Sequence, residues 1–142
     1  MGNQIINGET AQADGTGMEA YDPLNAPDPD EWQSMDEDER ITLVMEHHRE
    51  AGVELPNEQV HAVLHVVVEN QIMLGDETSV PATLERLMRE GLDRHEAIHA
   101  VGSVLVDFVQ ALICNDAAPA ANERYNEELK KLTAAEWLKG FR

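Results

Sequence analysis

Beyond residue 34, apolar residues recur every three or four positions, and Gly, Pro, Asn or Asp cut the recurrence at intervals. That period puts the apolar side chains on one side of an α-helix. Five helices are predicted, followed by a short terminal one. The first, about 35–51, opens on a capping box, Ser34 with Glu37 three residues later, and closes at Gly52. Ile41, Val44, Met45 and His48 form its stripe. The second, about 58–74, runs from Asn57 as N-cap to Gly75. Val66-Val67-Val68 is β-prone, but the length of the segment and its Asn and Gly bookends favour helix. Val60, Val63, Leu64, Val67 and Leu74 form its wide apolar face, with Gln71 inside it; His61, His65 and Glu69 lie on a separate stripe beside it.

A third, short helix is capped by Ser79, with Pro81 in its first turn, and ends at Gly91. Leu84, Leu87 and Met88 face inward on it. Asp93 caps a fourth, about 94–114, whose core stripe is Ile98, Val101, Leu105, Phe108 and Leu112. His95, His99 and Gly102 fall on a neighbouring stripe, where the missing side chain of Gly102 leaves room for another backbone or a ligand. Residues 115–121 read as a loop around Pro119, and Asn122 opens a fifth helix with Tyr125, Leu129 and Leu132 inward. Thr133 and Glu136 make a second capping box for a last turn anchored by Trp137 and Phe141.

Residues 1–31 break the pattern. They are rich in Gly, Asn, Asp, Ala and Pro, with few apolar positions, and read as a disordered leader. Tyr21 and Leu24 are the residues by which such a leader would bind something. The expected organisation is therefore an all-α domain, residues 32–142, a compact bundle of about five helices behind a disordered acidic leader. Short loops make neighbouring helices antiparallel. Aromatics are only 4 % of the chain, so Leu, Val, Ile, Met and Ala must fill the core.

Charge narrows the partners. With 28 acidic and 10 basic side chains the chain carries −18. Residues 1–40 hold eleven Asp or Glu against one Arg, so the leader is the more densely charged part. Nucleic acid is not an expected partner, since phosphate binding needs basic clusters; a protein partner is compatible with the charge. Cys114 is the only cysteine, which excludes an intrachain disulfide and fits a reducing compartment. There is no basic-then-apolar N-terminal signal and no unbroken apolar run near eighteen residues. The expected location is the cytoplasm, with no membrane span.

The chemistry lies in the histidines. Four of six stand in two i,i+4 pairs, His61 with His65 and His95 with His99. Residues four apart on a helix point the same way one turn apart, so each pair can chelate one ion. Glu69 continues the first stripe by one turn, and Glu96 sits inside the second pair. If the two stripes meet, His61, His65, Glu69, His95, Glu96 and His99 offer the N and O donors that a divalent transition metal such as Zn or Fe accepts. His95-Glu96-x-x-His99 also spells the zinc-peptidase motif, in which the Glu activates water. Its context is poor: Asp93 as N-cap puts His95 in the first turn, no strand offers a substrate edge, and Asp93-x-x-Glu96 doubles as a capping box. Glu96-x-x-His99 echoes the Glu-x-x-His of di-iron bundles, but occurs once.

From Leu55 to Asp107 the sequence resembles a family of small bacterial proteins known only as a domain of unknown function. The matching features are His61-x3-His65-x3-Glu69-x-Gln71, Leu84-x2-Leu87-x3-Gly91 and Arg94-His95-Glu96-Ala97-x-His99. Tyr125-x3-Leu129-x2-Leu132-Thr133-Ala134-x2-Trp137 is similar to a related element. The resemblance implies a small helical fold and no particular activity. Three functions remain open: a metal-binding protein using the histidine pairs, an interaction or regulatory module whose histidines are structural, and a metal-dependent hydrolase. Oligomeric state is not readable from the sequence.

Overall fold

Proline's fixed φ suits the first turn of a helix, and the first helix among the described residues begins on one. Pro29 opens α1 (Pro29–Ser34), with the Asp28 carboxylate accepting from the Glu31 N–H at 3.1 Å. The structure, a computed structural model, describes residues 18, 20–52, 57–115 and 118–140, and only the backbone of 114–115 and 118–122. It is all-α: among these residues there is no strand. The other helices are α2 (Glu37–Glu50), α3 (Glu58–Met73), α4 (Val80–Arg89), α5 (Arg94–Asn115), α6 (Ala118–Lys131) and α7 (Ala134–Leu138), with a 3-10 turn at Gly75–Glu77. Phe141, and the side chain of Cys114, lie outside the described residues. The chain falls into two compact units, Met1–Ala62 and Val63–Arg142, and α3 runs through the boundary.

In the first unit Trp32 is fully buried and Tyr21 nearly so, their ring centroids 5.9 Å apart. The Arg40 guanidinium lies 5.6 Å from the Trp32 ring centre, and its Nε donates to the Trp32 carbonyl at 2.8 Å. Packed structure thus begins upstream of residue 32. The capping box of α2 differs from the expected one: Asp36 and Glu39 exchange the two hydrogen bonds, while Ser34 Oγ donates to the Glu31 carbonyl. A two-residue slip is cheap here, because both dipeptides offer an acceptor followed by Glu at N3.

The second unit is centred on α5, with α4 and α6 packed against it. Leu87, Ile98, Val101, Val104 and Leu129 are at most 1 % exposed. Asp93 caps α5 as expected, accepting from the Glu96 N–H at 2.8 Å. Asp93→Ala should therefore cost about 1 kcal/mol, read as a fall of roughly 4 °C in melting temperature; an unchanged melt would show that water replaces the cap. At α4 the hydroxyl that accepts from the Val80 N–H is Thr78's, not Ser79's, and Met88 is 40 % exposed rather than inward. α6 starts at Ala118, so Pro119 belongs to its first turn rather than to a loop. Glu90 accepts from the Ala134 N–H at the start of α7 and from Arg86, both at 2.9 Å, and Arg86 also donates to the Leu129 carbonyl. The Ala134 N–H, then Arg86, hold the Glu90 carboxyl below the usual carboxylate range.

One reading of the apolar pattern fails. The buried side of α3 is Ala62, His65, Val66, Val68 and Glu69, whereas Val60, Val63 and Leu74 are 51 %, 36 % and 48 % exposed. At about 100° per residue, the helix has turned nearly its opposite face inward. Apolar residues line α3 on several sides, so residue type alone does not choose, and the polar groups on the buried side carry partners that make burial tolerable. In α5, Arg94–Ile113 is long and apolar enough to cross a membrane by length and composition, although no unbroken apolar run reaches that length. Its first half is packed into the second unit, with Ala97, Ile98, Ala100 and Val101 buried.

Candidate metal centre

α3 and α5 carry the site. Asn57 starts α3, its carboxamide oxygen accepting from the Val60 N–H at 3.1 Å, and His65 and Glu69 face inward further along the helix. Asp93 starts α5 and puts His95 in its first turn, with His99 one turn further. His65 is 1 % exposed, and His95 and His99 are half-buried. The rings converge: centroid separations are 4.9 Å for His65–His99, 5.0 Å for His65–His95 and 4.3 Å for His95–His99. The Nε2 atoms of His65 and His99 stand 3.0 Å apart.

One nitrogen from each of the three lies within 4.8 Å of the others, so the cluster could hold a metal ion. With Zn–N lengths of about 2.0–2.1 Å, two nitrogens on one tetrahedral ion are about 3.3–3.4 Å apart. The His65–His99 separation needs only a few tenths of an ångström of adjustment to match. Without an ion, the same contact is an N–H···N hydrogen bond with one ring as donor and the other as acceptor.

The other residues picked out by the histidine spacing take different places. Glu69 is fully buried, and both of its oxygens accept from Arg94, Oε1 at 2.7 Å and Oε2 at 2.9 Å. Glu96 is half-exposed, with Oε1 3.7 Å from His99 Nδ1, beyond hydrogen-bond reach. His61 lies in the first unit, its ring edge-on to His48 at 4.7 Å. His48 is itself buried, with Nδ1 2.9 Å from the Val44 carbonyl. Gly102 is buried and a Cβ there would meet no atom within 4 Å, so of the two occupants its missing side chain allows, a backbone or a ligand, the described residues do not supply the backbone. Gln71 does find a partner, accepting from the Tyr125 hydroxyl at 2.8 Å; burial, opposed by this bond, pushes the Tyr125 hydroxyl up beyond the usual tyrosine range.

Sequence reasoning assigned no role to Arg94. A signal existed: it is a rare cation in an acidic chain, adjacent to His95, and Glu69 is the in-phase carboxylate on the other histidine helix.

His61 carries a pH prediction. Burial, then the neighbouring His48, lower its pKa below 6.5. Its neutral form is thus favoured by the fold, and this stability is present above pH ~6.5 and lost as pH falls through the lower folded value. The acid limb of the stability profile should flatten in His61→Gln; a variant profile parallel to wild type would remove His61 from the account.

No protein-family model, no curated protein and no solved structure matches this chain. The class of protein is defined by the fold and the cluster alone: a small all-helical protein with a partly buried histidine triad that could hold a metal.

Proposed function

We propose that this protein binds a divalent transition metal, zinc or iron, through His65, His95 and His99. The observation that carries the reading is the convergence of three imidazoles from two helices, two with facing Nε2 atoms 3.0 Å apart. Imidazole nitrogen suits Zn and Fe among the available ions. His65, one turn before the buried Glu69, is held on a packed helix face, so the ligands are presented by rigid elements. The motifs shared with the family of small bacterial helical proteins include all three ligands, and membership of that family is part of the proposal.

The test is elemental analysis of purified protein, followed by zinc and iron titration of wild type and of the His65→Ala, His99→Ala double variant. Wild type should take up one ion per chain, and the double variant should lose it. One observation favours a second reading: the His65–His99 contact also satisfies hydrogen-bond geometry without an ion. Metal-free protein with no zinc or iron uptake would make the histidines structural and put the interaction-module reading first.

A further inference from the structure

Glu69 poses a question that the metal reading does not answer. It is a carboxylate at 0 % exposure, one helical turn beyond a proposed ligand, His65, with Cβ atoms about 5–6 Å apart at that spacing. Such a carboxylate is an obvious oxygen ligand. It is instead engaged by Arg94, the residue immediately before the second proposed ligand, His95. Both guanidinium nitrogens Nη1 and Nη2 donate to it, in the bidentate fork that Arg alone can make. Arg94 is only 6 % exposed. Were Glu69 to swing onto an ion, a buried guanidinium would lose its counter-charge beside a dication.

We propose that Arg94 determines the metal preference of the site by holding Glu69 out of the coordination sphere. This rests on the metal-binding reading above. With Glu69 engaged, the second unit offers the ion imidazole nitrogens and, among the described residues, no other buried carboxylate. That set favours Zn and its neighbours, whereas carboxylate oxygen favours Mn and Mg. Releasing Glu69 adds a negatively charged oxygen donor on the same helix face as His65 and makes the site more hospitable to harder ions. Arg94 is thus a specificity-determining residue that need not touch the metal.

The experiment compares zinc and manganese affinities of wild type, Arg94→Gln and the Glu69→Gln, Arg94→Gln double variant. Zinc is followed by competition with a chromophoric chelator, and manganese by loss of the free-ion electron paramagnetic resonance signal. Circular dichroism checks folding. Arg94→Gln should shift the manganese-to-zinc affinity ratio at least tenfold towards manganese, a change within the roughly 10–100-fold range of residues around a first coordination shell. The double variant has no buried charge at this place. It should keep wild-type zinc affinity within about threefold and stay poor at manganese. A folded Arg94→Gln whose ratio is unchanged overturns the inference while leaving the metal site standing. If that variant does not fold, the double variant decides: a folded double variant that has lost zinc more than about tenfold makes Glu69 a ligand, and the inference falls. Wild type that binds neither ion removes the metal reading and this inference together.

Discussion

Zinc added to metal-free protein should raise its melting temperature by roughly 10 °C at a hundredfold excess over Kd. An ion bound only by the folded chain stabilises it by about 2.7 kcal/mol at that excess, and about 1 kcal/mol moves the melt of a domain of this size by a few degrees. The ligands are assembled only by folding, because His65 is some thirty residues from His95 and His99 and reaches them by the packing of α3 against α5. A chelator should reverse the shift, and the His65→Ala, His99→Ala variant should not show it. The gain should shrink on acidification, since protons compete with the ion for the same nitrogen lone pairs. A thermal melt with and without zinc and chelator, at two pH values, measures all of this; a melt indifferent to both additions would refute the site.

Breaking the Glu69–Arg94 pair should have the other large effect. Arg94→Ala strips a fully buried carboxylate of its bidentate guanidinium partner, which costs about 3–5 kcal/mol for a pair of this kind. The partners are 0 % and 6 % exposed, so solvent does little to relieve the loss. Replacing both residues, Glu69→Gln with Arg94→Ala, should cost clearly less than either single change, because no unpaired charge remains. Urea denaturation of the four proteins gives the coupling energy directly. Single variants that lose under about 1 kcal/mol would mean that water reaches Glu69, and the pair would no longer explain why this face of α3 is buried.

Much of the architecture was legible locally. Asn57, Asp93 and Thr133 cap their helices because short oxygen-bearing side chains answer N–H groups three residues on. Gly52, Gly75 and Gly91 stand at positive φ where helices were expected to stop. The stripe of α5 through Ile98, Val101 and Leu105 is buried as its period requires. The i,i+4 spacing of the histidines on α5 likewise ensured that His95 and His99 would share a face.

What the chain could not reveal by itself was which side of α3 would turn inward. Apolar residues lie on several sides of that helix, so hydrophobic burial was nearly indifferent to its rotation. Long-range polar pairs decided it: Glu69 with Arg94 and His65 with His99, both made across more than twenty residues of sequence. The same rotation engaged Glu69 with Arg94 and left Val60 and Val63 exposed. Residue types and spacing determine what can bind an ion along one helix, because that geometry is local. Which donors from two helices meet depends on how each helix rotates about its axis, and only the packing of the second unit sets that.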